Sequence, residues 1–192
     1  VISTDKDTGY IAADTLNAGR LRTNLLMTPG DMEVFTRDLL NDLGVFNIDE
    51  ASGWLTNSRP LEANGINSNS QSPASLALSD SGGNVTLRGM STSPSTRNYF
   101  LSGTTPMEYN VQRVEAGRGP NAILFGLGSP AGIINNQLKS ANLRKSSVSF
   151  QQAFGRFGSH REVLDVNQQI VRDTLGVRVI ALNKSDQYRQ EP

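Results

Sequence analysis

The residues whose types and spacing could support chemistry are few, and each set fails a specific requirement. Gly117-Arg-Gly-Pro-Asn-Ala122 follows a candidate strand and fits the G-x-G-x-x-A spacing of a dinucleotide site. Such a site needs an acidic residue about 20 positions further on to hold the ribose. No Asp or Glu lies between Glu115 and Glu162, and Pro120 removes an N–H where backbone donors should cradle a pyrophosphate. The glycines therefore read as tight turns and points of close backbone approach. Serines are plentiful, but no histidine–acid constellation surrounds them to activate a nucleophile. The single His160 cannot build a histidine-based metal cluster and reads as a polar residue at a strand end. Cysteine is absent, which excludes disulfides, thiolate zinc sites and cysteine nucleophiles. Glu33, Asp38 and Asp42 fall near helical spacing and read as a solvated face. No catalytic residue, metal or cofactor is expected.

Composition narrows the class further. Lys+Arg and Asp+Glu number 18 each, so the chain lacks the basic excess that a nucleic-acid binder needs to neutralise phosphates. No run of about 18 apolar residues is present, so no transmembrane helix is expected. Membrane strands carry a weaker signal and stay open. Hydrophobic residues at 36% and aromatics at 6%, beside 18 glycines, suit a loop-rich β protein rather than a compact apolar globule.

The elements that would position these residues fall into four parts. Val1 to Pro29 is polar with scattered aliphatics, and its end, from Leu21, looks extended because Pro29 disfavours a helix running into it. Thr36 is a candidate N-cap for a helix with Leu39, Leu40 and Leu43 on one face and Gly44 at its stop. A second short helix is expected over Asp49 to Thr56, with Ala51, Trp54 and Leu55 turned inward. Residues 59–83 are too rich in Ser, Asn and Gly to offset their ordering entropy and read as a long exposed loop. That loop is either a passive linker or a ligand-facing apex.

The third part has the clearest strands. Asn84 to Gly89 alternates, and Arg97 to Ser102 is expected to pair with it across a polar loop from Met90 to Thr96. Val111 to Ala116 is a further strand. A sharp turn at Gly117 to Pro120, a helical turn at Asn121 to Phe125 and a glycine-rich loop from Gly126 to Gly132 then lead into Ile133-Ile-Asn135. In the fourth part, Val148, Phe150, Gln152 and Phe154 alternate with smaller or polar residues, as do Leu164, Val166 and Ile170, and then Leu175, Val177, Val179 and Ala181. Turns fall at Arg156 to Ser159 and Val171 to Asp173. Periodicity alone leaves two readings, a soluble β-sandwich meander and the first strands of a membrane barrel.

The stretch from Val111 to Asn135 resembles the plug domain of TonB-dependent outer-membrane transporters. Arg113, Val114, Glu115, Arg118, Gly119, Pro120, Phe125, Gly126, Gly132, Ile134 and Asn135 fill the places of that family's central motif. Val85 to Gly89 resembles its earlier strand ending in Arg-Gly, Thr36 to Gly44 its first helix, and Phe150 to Gly155 with Leu164 to Asn167 its first barrel strands. The sequence departs from the pattern at Ala116-Gly117, where two aliphatics are usual, at Ala131 in place of a glycine, and at Asn136-Gln137.

The resemblance implies an α+β fold: a plug domain at 1–142, with a small mixed sheet and short helices, followed at 143–192 by three antiparallel strands of an incomplete transmembrane β-barrel. It implies a siderophore-receptor-like transporter of the bacterial outer membrane that imports a scarce ligand, most readily a ferric chelate. TonB would engage a segment upstream of Val1, and lipid would surround the barrel. Arg88, Glu115 and Arg118 would anchor plug to barrel, with Glu115 helping to orient the arginines. Gly89, Gly119, Gly126 and Gly132 would serve the motif's turns. Ser91, Thr92, Ser93, Ser95, Thr96 and Arg97 would form a ligand-facing apex. The rival readings are a plug-like binding or signalling module without transport, and a soluble β-rich domain.

Overall fold

The structure is a computed structural model that describes residues 7–15, 23–28, 30–45, 48–60, 85–91, 96–102, 108–119, 131–185 and 187. The chain divides into two compact units, Val1–Leu138 and Lys139–Pro192.

Among the described residues of the first unit, ten strands and two α-helices occur. The strands are β1 (Asp14–Thr15), β2 (Thr23–Asn24), β3 (Asp31–Phe35), β4 (Ser58–Pro60), β5 (Val85–Leu87), β6 (Met90–Ser91), β7 (Thr96–Arg97), β8 (Phe100–Leu101), β9 (Val111–Arg118) and β10 (Gly132–Leu138). The helices are α1 (Arg37–Asp42) and α2 (Ile48–Ser52). A five-stranded mixed sheet in the order β3-β9-β10-β7-β8 is the frame, with β7 and β10 its parallel pair. β4, β5 and β6 form a second sheet, and β1 and β2 a ribbon.

The five-stranded sheet has unlike faces because side chains alternate along each strand. On one face Val114 and Ala116 of β9 and Ile134 of β10 join Phe35, Leu40 and Leu87 in the hydrophobic core. The other face presents Arg113, Glu115 and Asn135, all wholly buried. α1 forms as its sequence dictates. The Thr36 hydroxyl accepts the Leu39 N–H at 3.3 Å. At the far end Val45 N–H bonds Leu40 O and Gly44 N–H bonds Asn41 O, both at 3.1 Å, with Gly44 at φ +65°. That pair of bonds is a Schellman stop.

Three expectations are corrected. Trp54 is 59% exposed rather than packed in the core, while Ala51 and Leu55 are buried as expected. The helix ends at Ser52 and the chain leaves it through turns at Gly53 and Trp54, which carries Trp54 off the inward face. β5 does not pair with the segment at 97–102. It pairs with β4 and, through a two-residue turn at Arg88-Gly89, with β6. Both turn residues have positive φ, +54° and +75°, the geometry of a type I′ hairpin. The segment at 96–101 makes its own hairpin, β7–β8, around Asn98 and Tyr99 at φ +50° and +67°. β9 also runs on through Arg118, so the chain turns at Gly119, not at Gly117. The proposed helical turn at 121–125, the glycine loop from 126, most of the polar loop at 59–83 and residues 92–95 lie outside the described residues.

The second unit is an antiparallel meander of β11 (Ser147–Phe154), β12 (His160–Val171) and β13 (Leu175–Ser185). Its register places Phe150 opposite Leu164 and Leu164 opposite Ala181, so Val148, Phe150, Leu164, Val166, Val179 and Ala181 share one face. That face is bare: Val148, Phe150, Phe154 and Val179 are 60% or more exposed. On the opposite row the middle strand buries Val163, Asp165 and Asn167, whereas Ser147, Ser149 and Gln151 of β11 are exposed.

Candidate functional site

Two charge clusters flank β9, one on each face of the sheet. On the polar face Arg113 and Glu115 sit two residues apart on the strand, and the Arg113 guanidinium lies 2.5 Å from Glu115 Oε1. Asp7 and Asp14 each approach the same guanidinium at 3.4 Å. Glu115 Oε2 accepts the Tyr99 hydroxyl at 2.5 Å and the Thr15 hydroxyl at 3.3 Å. Arg113 and Glu115 side chains are at most 1% exposed. Burial pushes the Glu115 carboxyl up, and the Arg113 charge with the Tyr99 and Thr15 hydrogen bonds offsets part of that rise. For Arg113 burial favours the neutral form, but Glu115, Asp7 and Asp14 together hold it charged and its pKa is raised.

On the other face, at the edge of the core, Arg118 donates to Asp31 at 3.0 Å and to Glu33, its side chain 4% exposed. β3 pairs with β9 so that Asp31 lies opposite Arg118, which brings both carboxylates within reach. Glu33 also caps the Thr56 N–H at 3.1 Å. Arg88 reaches the second oxygen of Asp31 at 2.8 Å from the β5–β6 turn and stays half exposed. Asp31 thus bridges Arg88 and Arg118.

The structure therefore brings Arg88 and Arg118 together but sends Glu115 elsewhere. Positions 115 and 118 project to opposite faces of β9, so Glu115 orients Arg113 and Tyr99 rather than the other two arginines. Gly89 and Gly119 occupy turns at φ +75° and +89°. Gly132 is the strictest of the described glycines: at φ +143° a Cβ would fall 2.3 Å from the Gly117 carbonyl oxygen. Gly126 lies outside the described residues. Of the expected apex, Thr96 is withdrawn. It is wholly buried, and its hydroxyl donates within the sheet, to Asn135 Oδ1 at 2.9 Å and Ile134 O at 3.2 Å. Ser91 ends β6, Arg97 is half-buried in β7, and Thr92, Ser93 and Ser95 lie outside the described residues.

Sequence reasoning missed the partners of Arg113. One signal was available: opposite charges two apart in an apolar strand, Arg113 and Glu115, share a face and must be buried as a pair. Asp7, Asp14 and Tyr99 gave no local sign, since they come from about 100 and 16 residues away in sequence. The second unit holds a cluster of its own. Arg178 grips Asp165 with two bonds of 2.7 Å, and Lys139 adds a third at 2.8 Å.

A family model described as the TonB-dependent receptor plug domain matches residues 24–133, more than half of the chain. The chain belongs to the TonB-dependent receptor plug-domain family. The structure is similar to the P. aeruginosa receptor FpvA bound to a ferric pyoverdine, with a TM-score of 0.74, 19% identity, and coverage of 94% of this chain and 23% of that one. It is also similar to the alcaligin outer-membrane receptor FauA of Bordetella pertussis, with a TM-score of 0.71, 21% identity, and coverage of 95% and 31%. The ferric preacinetobactin receptor BauA of Acinetobacter baumannii matches with a TM-score of 0.71, 20% identity, and coverage of 94% and 27%. The chain thus spans between a quarter and a third of FauA and BauA and slightly less of FpvA. No curated protein matches significantly. At these identities the likeness establishes the fold: a plug with a mixed sheet and few helices, followed by strands like those of a siderophore receptor, here without a closed barrel.

Proposed function

We propose that this chain is the plug, residues 1–142, and the first three barrel strands, residues 143–192, of an outer-membrane receptor that imports a ferric siderophore. The observation that carries this reading is the order of its parts: a plug-family motif is followed by three antiparallel strands that bare a shared apolar row, while the middle strand buries Asp165 and Asn167 on its other side. Water does not stabilise that arrangement, whereas hydrocarbon outside a barrel does. The barrels of outer-membrane transporters, at roughly 22 strands, leave a lumen wide enough to need a plug. TonB would supply energy through a segment upstream of the plug, and no covalent chemistry is needed.

Within this reading Arg88 and Arg118 act together at the plug surface. Asp31 and Glu33 already occupy the Arg118 fork, so Arg118 holds Asp31, and Asp31 presents Arg88. Half-exposed Arg88 is the member free to meet a carboxylate of the barrel wall. Glu115 serves the plug's interior. Ser91, Thr92, Ser93, Ser95 and Arg97 remain the ligand-facing apex, since hydroxyls and a guanidinium suit a polar or anionic chelate. The test is uptake of radiolabelled iron from a panel of chelates by cells that carry the full-length receptor and lack its rivals. TonB-dependent uptake of at least one chelate is expected. It should fall when Arg88 is replaced by Ala and when Ser93 and Ser95 are replaced together. Receptor in the outer membrane with no uptake of any chelate would contradict the reading.

A further inference from the structure

We propose that residues 139–146 are a fixed seat on the second unit, clamped by Asp165 and Asn167 of β12 and Arg178 of β13, so that movement of the plug turns at Leu138–Lys139 and leaves this segment in place. The segment joins β10 to β11 and belongs to no strand. It groups with the meander all the same, since the boundary between the two units falls at Leu138–Lys139. What holds it is a set of side chains from the row opposite the bare apolar one. The Asn142 N–H donates to Asn167 Oδ1 at 2.8 Å, and Asn167 Nδ2 donates back to the Asn142 and Lys145 carbonyls at 3.1 and 2.6 Å. Arg178 Nη1 donates to the Ser140 carbonyl at 3.0 Å, while its Nε and Nη2 hold Asp165, whose Oδ2 also accepts from Lys139. Nearer the β12–β13 turn, the Asp173 N–H donates to Leu143 O and the Gln169 N–H to Ser146 Oγ, both at 3.0 Å.

The same atoms argue against a ligand contact. Each side-chain oxygen and nitrogen of Asp165 and Asn167 is engaged inside the second unit, and both residues are buried. The Arg178 fork is likewise occupied, by one carboxylate and one carbonyl. Gly176 makes room for the segment: a Cβ there would meet Leu143 Cδ2 at 3.2 Å and Asn142 O at 3.3 Å. Lifting the segment would strip buried Asn167 of its three bonds and take Lys139 from Asp165, and buried polar groups left unmet are costly. Such a segment stays with the strands that hold it. The mechanical boundary then lies upstream of residue 142, at the end of β10. The proposal rests on the import reading only in taking the plug to move; the seat itself is geometry within the second unit.

Two measurements on the full-length receptor test it and keep it apart from the import reading. In hydrogen exchange, Asn167→Ala should speed the amides at 142–146 by at least about tenfold, the change expected when a net hydrogen bond is lost, with 177–183 unchanged. Unchanged exchange at 142–146 would overturn the seat. If Asn167→Ala also loosens 177–183, Lys139→Gln decides, because it lies outside the strands. Faster exchange at 139–142 alone supports the seat, and no change there removes it. For movement, Asn142→Cys with Asn167→Cys, any other cysteine being replaced by serine, exchanges the clamp for a disulfide formed with copper–phenanthroline. The cross-linked receptor should take up radiolabelled iron from the same chelate panel as well as the wild type does. No cross-link, or uptake that stops on oxidation and returns on reduction, would overturn the proposal. A wild-type receptor that imports nothing would strike the import reading instead, and hydrogen exchange would then decide the seat.

Discussion

β9 of the first unit and β12 of the second both alternate polar with apolar residues, yet β9 hides both rows and β12 only one. In β9 both rows are covered: Val114 and Ala116 lie in the core, and Arg113 and Glu115 are shut beneath residues 7–15. In β12 the polar row, Asp165 and Asn167, is buried while Leu164 and Ile170 stand exposed. Alternation sets which residues share a face, and the surrounding medium sets which face is left open. On the proposed reading the plug closes both faces because a polar, hydrated lumen would reward neither bare apolar rows nor unpaired buried charge. On the same reading the meander leaves open the row that would meet lipid.

The largest way to sharpen that contrast is to break the buried pair. Arg113→Met strands Glu115 in a dry site and should lower plug stability by about 3–5 kcal/mol, read by urea unfolding. Adding Glu115→Leu should recover much of the loss, because two apolar residues tolerate that site better than one lone charge. If the single and double variants were equally unstable, the pair would not be the source.

On the meander, Phe150→Arg places a cation on the bare row. Near the bilayer midplane it should cost about 2–4 kcal/mol in a folding assay in lipid, while Ser149→Arg on the other row should cost far less. Equal costs on both rows would mean that neither faces hydrocarbon.

A smaller effect is the pH dependence of the plug. The folded Glu115 carboxyl titrates above its unfolded value, chiefly through burial. The native state therefore binds the extra proton, so this group's contribution is fully present below the unfolded value and lost as pH rises through the folded one. Glu115→Gln should flatten that segment of the stability–pH curve, and an unchanged curve would assign the slope to another group. The smallest effect concerns Arg88. Its pair with Asp31 is half exposed, so Arg88→Ala should change plug stability by less than about 1 kcal/mol even where it reduces uptake. A loss of several kcal/mol would make Arg88 a folding residue rather than a surface anchor.

Much of this was legible from local pattern. Thr36 and Gly44 announced α1, and the alternating rows at 147–185 announced three strands with their faces. The central motif named the family. What escaped was decided by contacts distant in sequence or by single turn residues. Arg88-Gly89 and Asn98-Tyr99 make two separate hairpins where a single strand pair was expected, because non-glycine residues accept positive φ there. Trp54 lies two residues past the end of its helix, and no periodicity marks that end. Thr96 read as a loop hydroxyl, but β7 is a strand and the neighbouring β10 claims its side chain. The polar side of β9 was half legible: Arg113 and Glu115 were in view, while Asp7, Asp14 and Tyr99 reach it only through the fold.

On the proposed reading the bare row of the meander meets lipid. Residues 1–192 contain no cysteine, and any cysteine elsewhere in the full-length receptor is first replaced by serine, so single cysteines can be introduced without background. Cysteines at 148, 150, 164 and 179, and at 149, 151, 163 and 178, would each carry an environment-sensitive fluorophore in the full-length receptor in bilayers with nitroxide-labelled lipid. Strong quenching is expected at the first set and little at the second, alternating residue by residue along β11. Quenching without alternation, or none at either set, would contradict it.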